Sequence, residues 1–221
     1  MKTILVIGAS KGLGKNIVSE AISAGYFVVF TYNKNKNSAL KIYRKNKKKC
    51  LAFKLDLNNN KNIQNIFLNL KKRKINIDCL INNAANKPKR KSFVDIKKSE
   101  IINIFKINFF SIVEIIKYFL TFSKKNKYKK LIINISSYSA KSGGYKLTHY
   151  ASSKSAIETL TKGLAKELKV FNTNIVCISP YKIIFNKKDK INSNVLMIVK
   201  KIISLVKKNH SNDSGKIFYL K

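Results

Sequence analysis

Tryptophan is absent from the 221 residues, proline occurs twice and glycine 8 times. Acidic residues are also scarce, 10 against 46 Lys and Arg, and only Arg44, Arg73 and Arg90 are arginines. The three cysteines, Cys50, Cys79 and Cys177, lie far apart and in no C-x-x-C arrangement. That spacing excludes a disulfide framework and a cysteine-ligated zinc site, gives no reason to expect any metal, and suits a reducing cytosol. Cys79 and Cys177 fall in apolar runs and read as small buried hydrophobes. Long apolar runs are missing too. The longest, Ile101 to Phe122, is broken by Lys106, Glu114 and Lys117, so it reads as a buried helix and not a membrane span. The apolar start, Thr3 to Ile7, is too short for a signal peptide. The expectation is a cytoplasmic protein with no membrane partner.

What is abundant is lysine, giving a formal net charge of +36. A clustered excess of this size would point to nucleic acid or an anionic surface. Here the lysines are dispersed along the chain and accompanied by many Asn and Ile, all three encoded by AT-rich codons. Codon drift therefore accounts for the charge, and nucleic acid is not the expected partner. Anionic ligands should still be attracted, more weakly as salt rises.

With 45% hydrophobic residues the chain can bury a substantial core, and residues 1–221 are expected to form one domain. Near-continuous apolar runs at Thr3–Ile7, Phe27–Thr31, Leu51–Phe53, Cys79–Asn82, Leu131–Ser136, Asn174–Ser179 and Lys216–Leu220 read as strands. Helical patterns at Leu13–Ala24, Ser38–Lys47, Lys61–Lys72, Ser99–Phe122, Tyr150–Val170 and Asn192–Lys207 alternate with them. Alternating βα units predict an α/β class: a single doubly wound (Rossmann) domain, with a seven-stranded, mainly parallel sheet between helix layers.

Three of the 8 glycines sit in one turn, Gly8-Ala9-Ser10-Lys11-Gly12-Leu13-Gly14, between the first strand and the first helix. Glycines there permit a tight turn and close approach of backbone to a pyrophosphate, and the helix start offers free N–H groups. The spacing G-x-x-x-G-x-G, placed after the first strand, points to a dinucleotide. After the second strand comes Tyr32-Asn33-Lys34, with none of the acid that usually holds an NAD ribose. Lys11 and Lys34 could face a 2′-phosphate, so NADP(H) is expected ahead of NAD(H).

Tyr150 and Lys154 are four apart and share a helix face. An ammonium beside a phenol favours the phenolate and draws its pKa toward working pH, which suits proton transfer to a carbonyl oxygen. Tyr32/Lys36 and Tyr43/Lys47 have the same spacing, so the spacing alone decides nothing. Tyr150 stands apart because a strand ending in Ser136-Ser137 and a loop holding Gly143 and Gly144 precede it. Both serine and tyrosine then fall at the carboxyl end of the sheet, where ligands bind in open α/β folds.

In order and spacing these residues resemble the short-chain dehydrogenase/reductase family over nearly the whole chain. The matching positions are the turn Gly8 to Gly14, Asp56-Leu57, Asn82-Asn83-Ala84-Ala85, Asn108, Ser137, and Tyr150 with Lys154. Ser137 lies thirteen residues before Tyr150, as in 3-oxoacyl-[acyl-carrier-protein] reductases, the most similar subgroup. The resemblance implies an NADP-dependent oxidoreductase reducing a carbonyl, with a place in fatty acid biosynthesis for that subgroup. Asn108, Ser137, Tyr150 and Lys154 would be the catalytic residues: Tyr150 the proton donor, Lys154 the holder of the nicotinamide ribose, Ser137 a hydrogen-bond partner of the substrate oxygen, Asn108 the holder of a relay water. Gly8, Ser10, Lys11, Gly12, Leu13, Gly14, Asn33, Asp56, Leu57, Asn82 and Ala84, with Tyr150 and Lys154, would bind the cofactor. A homodimer or homotetramer is implied, pairing through the Ser99–Phe122 and Tyr150–Val170 helices.

The chain departs from the family at Ile7, where Thr is common, at Ala85, which ends a motif usually ending in Gly, and at Tyr181 after Pro180. The substrate loop beyond Pro180 reads as shortened. A reductase of a sugar, polyol or other small ketone is therefore the alternative to an acyl-carrier substrate. A Rossmann protein that binds without catalysing is the alternative from another class, and the intact Asn108, Ser137, Tyr150 and Lys154 weigh against it.

Overall fold

The computed structural model describes residues 1–122, 129–181, 183 and 193–220. The apolar runs form the strands β1 (Thr3–Ile7), β2 (Phe27–Tyr32), β3 (Cys50–Lys54), β4 (Cys79–Asn82), β5 (Lys130–Ile135), β6 (Thr173–Pro180) and β7 (Ile217–Leu220). They lie in one sheet in the order β3-β2-β1-β4-β5-β6-β7, and every pairing between neighbours is parallel. The sheet is thus wholly parallel, where the sequence predicted a mainly parallel one. Continuous burial along β1, β4, β5 and β6 explains why these strands read as unbroken apolar runs, since helices cover both faces.

Alternate residues of each strand feed two cores. Ile4, Val6, Val28 and Phe30 meet α1 (Gly12–Ser23), α2 (Lys36–Lys45) and α8 (Ser193–Lys208) on one side. Leu5, Ile7, Val29 and Leu80 meet α3 (Asn60–Lys72), α5 (Ser111–Phe122) and α7 (Thr148–Glu167) on the other. Each such side chain taken from water contributes about 1.5–3 kcal/mol, which is what the sheet's layering rests on.

The stretch read as one helix over 99–122 is interrupted. After α4 (Lys98–Phe105) a π-helical turn, Lys106–Phe110, leads into α5. A four-residue helix, α6 (Ser139–Ser142), lies between Ser137 and the loop glycines Gly143 and Gly144, and α7 ends in a 3₁₀ turn at Leu168–Phe171. The strand order reverses direction at β1: β1 and β4 stay paired up to Ile7 and Asn82, but the connections leaving them run to opposite faces of the sheet, and a crevice opens outside their carboxyl ends. The substrate loop after Pro180 lies largely outside the described residues, as does Asn192, the predicted start of the last helix.

Candidate active site

The glycine turn closes the crevice from below. Gly8 has φ +80, and a Cβ there would sit 2.6 Å from the Ala84 Cβ. Gly14, in the first turn of α1, has no room for a Cβ either: it would run into the Gly8 carbonyl oxygen, the Asn83 amide at 2.6 Å and Ala9 Cα at 2.8 Å. Helix, turn and β4 thus touch at backbone distance. The turn is tied down from two sides. The Gly8 N–H donates to Thr31 Oγ1 at 2.9 Å, and Asn83 Nδ2 donates to the Gly8 carbonyl at 2.5 Å.

Above this turn lies a cleft of about 670 Å³, within the range of small-molecule sites. Of the residues predicted to bind a cofactor, Gly8, Ser10, Lys11, Gly12, Asn33, Asp56, Leu57 and Ala84 line it. Lys34 and Asn86 line it as well. Leu13, Gly14 and Asn82 stand behind the wall. Asn82 is buried, its Nδ2 donating to Asn134 Oδ1 at 2.9 Å, and Asn134 donates in turn to Thr161 Oγ1 on α7 at 3.0 Å. At the cleft's far end Asp56 accepts from Asn33 Nδ2 at 3.4 Å and from the Asn58 N–H at 3.0 Å. This joins the ends of β2 and β3 into one rim.

The predicted catalytic residues gather beside β5. Asn108 is fully buried in the π-helical turn. Its Nδ2 donates to the Asn86 carbonyl at 3.0 Å and to Ser153 Oγ at 3.1 Å, while its Oδ1 accepts from the Asn86 N–H at 2.7 Å. Asn108 therefore bolts the cleft wall to α7, and its side-chain amide is already committed to protein partners. π-Helical turns occur often at functional sites, and this one delivers Asn108 inward.

Lys154 is 1% exposed. Its Nζ donates to the Ile135 carbonyl at 2.8 Å and lies 6.0 Å from the centre of the Tyr150 ring. Burial lowers its pKa to about 8, with Cys177 and Glu158 acting in the opposite direction. The Tyr150 phenol is raised, chiefly by burial, while a hydrogen bond with Ser137 opposes the rise. The sequence led us to expect a phenol drawn down by Lys154. Here desolvation outweighs the field, and the ammonium is turned to the Ile135 carbonyl. His149, next to the tyrosine, is buried.

Three supporting residues had no place in the sequence reading, Thr31, Asn86 and Ser153, and Asn83 figured there only as part of its motif, without a role of its own. Thr31 carried a signal, as a polar side chain inside the apolar run Phe27–Tyr32. The others acquire their roles only through partners distant in the chain. Thr31 is 1% exposed, so Thr31→Val should strand the Gly8 N–H. A loss of about 1–3 kcal/mol in urea unfolding is expected, and an unchanged midpoint would remove Thr31 from the turn's support.

The sheet order, the glycine turn and the crevice at the strand reversal define a Rossmann nucleotide-binding fold, with a tyrosine–lysine pair at its carboxyl edge. A family model described as short chain dehydrogenase matches residues 2–195. The chain is 30% identical over 192 residues to the 3-oxoacyl-[acyl-carrier-protein] reductase FabG of Buchnera aphidicola, covering 87% of this chain and 78% of that protein. It is also 30% identical over 176 residues to VdlC of Helicobacter pylori, a protein named for the short-chain type dehydrogenases/reductases, covering 80% of this chain and 63% of that relative, less than two thirds of its length. Among solved structures, BdcA in complex with NADPH superposes with a TM-score of 0.83 at 19% identity, over 99% of this chain and 92% of that one. The chain belongs to the short-chain dehydrogenase/reductase family.

Proposed function

We propose that the chain is an NADPH-dependent carbonyl reductase whose substrate is a 3-oxoacyl thioester on an acidic carrier protein. The observation that carries the cofactor reading is the cleft rim: Tyr32, Asn33 and Lys34 close it with no acid at the end of β2, and Lys11 faces it from the glycine turn. Two ammonium groups suit a 2′-phosphate, while the carboxylate at this rim, Asp56 beyond β3, already accepts from Asn33 and the Asn58 N–H. The glycine turn fits a dinucleotide: with no room for a Cβ at Gly8 or Gly14, turn, helix start and β4 pack at backbone distance, and Gly8, Ser10, Lys11 and Gly12 line the cleft at the start of α1. The similarity to FabG supports the thioester, and the basic surface supports an acidic carrier.

When bound, the cofactor would supply the hydride that the carbonyl carbon takes up. The chain's own part is positioning and proton transfer. Ser137 Oγ holds the carbonyl oxygen beside the Tyr150 phenol, which releases its proton to that oxygen. Lys154 holds the nicotinamide ribose and offers its charge to the phenolate that remains. Asn108 keeps α7 and the cleft wall in register through Ser153 and Asn86. The working form is a homodimer or homotetramer joined through α4, α5 and α7, acting in the cytosol; Ile102 on α4 and Phe110 in the π-helical turn that follows it are more than half exposed.

The test is NADPH oxidation, followed by absorbance, with an acetoacetyl thioester as substrate, together with NADPH and NADH titrations. Lys11→Ala combined with Lys34→Ala should weaken NADPH binding about tenfold or more per lysine removed, with NADH unaffected. Equal losses for both cofactors would show that these lysines do not read the 2′-phosphate. No thioester turnover despite tight NADPH binding would move the substrate to sugars and small ketones.

A further inference from the structure

Tyr150, Lys154 and Glu158 follow one another at intervals of four on α7, so all three lie along one helix face. Glu158 has no part in the roles given above, yet it is 7% exposed. Its Oε2 accepts the phenol O–H of Tyr219 on β7 at 2.9 Å. Its Oε1 is buried without a hydrogen-bond partner, and no cation lies within salt-bridge distance of it among the described residues. A carboxylate buried in this state is costly unless a nearby charge compensates it.

The compensating charge is one helical turn away. The Lys154 ammonium is as deeply buried, and Ile135 supplies the hydrogen-bond acceptor for it. Glu158 acts on this lysine in the direction that favours its charged form. The other titratable groups facing the pair are Tyr150 on α7, Cys177 on β6 and Tyr219 on β7, whose ring also carries the Lys141 ammonium of α6 at 5.1 Å. Burial pushes the Cys177 thiol up to about 12, and burial with the bond to Glu158 pushes Tyr219 up to about 12. Both are neutral at working pH. That leaves the Glu158 carboxylate as the negative charge on this face of the lysine.

We propose that Glu158 is a positioning residue for the proton-transfer step: anchored by Tyr219, its carboxylate holds Lys154 in the charged form on which Tyr150 depends, tying the last strand of the sheet to the reacting centre. This rests on the reductase reading of the site for its consequence in turnover, but the charge coupling itself does not.

The experiment follows the Cε resonance of Lys154 in ¹³C-lysine-labelled protein without cofactor, assigned by its loss in Lys154→Arg, as pH is raised. Glu158→Gln keeps the shape and the acceptor for Tyr219 but removes the charge. Its Lys154 midpoint should fall by about one pH unit, the low end of what loss of a nearby opposite charge does. Glu158→Asp should hold the midpoint close to that of the wild type. Tyr219→Phe, which frees the carboxylate from β7, should lower it by less than Glu158→Gln does, and it serves as the second variant if Glu158→Gln does not fold. In turnover, the high-pH limb of kcat/KM should move down with the Lys154 midpoint. An unchanged midpoint in Glu158→Gln, or in Tyr219→Phe where only that variant folds, overturns the proposal, as does a uniform loss of activity at every pH. Because the titration needs no cofactor, failure to bind NADPH would overturn the proposed function while leaving this coupling measurable.

Discussion

Tyr150→Phe should lower kcat about 10²–10⁴-fold, the usual contribution of a positioned general acid, while leaving the NADPH dissociation constant close to that of the wild type. The two outcomes separate because the substitution removes one oxygen and keeps the ring. Tyr150 is 7% exposed, on a helix that packs against α4 and α6, so the fold has no reason to shift. The hydroxyl's interaction is with Ser137, on the substrate side of the site. Stopped turnover with retained binding, read by NADPH fluorescence and single-turnover absorbance, would fix the tyrosine as proton donor. Residual turnover within a few-fold of wild type would mean that solvent supplies the proton and that the Tyr150–Ser137 pair only shapes the pocket.

Gly14→Ala is the larger test of the cofactor site. By propensity alone alanine should stabilise a helix by about 1 kcal/mol over glycine. Sterics decide the other way, because the added methyl meets the Gly8 carbonyl, the Asn83 amide and Ala9 Cα at once. Two of these are backbone, which cannot rotate aside. The helix must withdraw from the turn, at the 1–3 kcal/mol typical of overpacking. In a chain of 221 residues that lowers Tm by roughly 2–4 °C per kcal/mol. Withdrawal would also open the cradle, so NADPH affinity should drop by well over tenfold. A variant as stable as wild type with normal NADPH binding would show that the turn is not the phosphate cradle.

The parts of this molecule readable from its sequence are those set by local chemistry. The Ile, Leu and Val runs of β1, β4 and β5 announce strands covered on both faces, and three glycines out of 8 in one turn announce a close approach of backbone. The π-helical turn at Lys106–Phe110 has no such marker. No Gly or Pro falls within it, and it is held by what Asn108 reaches, residues 86 and 153. The depressed lysine and raised tyrosine were equally hidden, because both shifts come from burial between elements far apart in the chain. Spacing placed Tyr150 and Lys154 on one face correctly, yet the ammonium's contact with the Ile135 carbonyl depends on where β5 ends.

The buried chain from Asn82 through Asn134 to Thr161 has a consequence for how the sheet finds its alignment. β4, β5 and β6 are built from nearly interchangeable aliphatic residues, so apolar packing alone would tolerate several offsets of one strand against the next. Asn82 and Asn134 are direct neighbours across the β4–β5 pair. A slip of β4 by one residue would send the Asn82 amide to the opposite face and break its bond to Asn134 Oδ1 in a dry interior, at about 1–3 kcal/mol for each stranded group. Two amides and a hydroxyl thus act as an alignment mark in the middle of a greasy ladder, rejecting compact misthreaded states that burial by itself would accept.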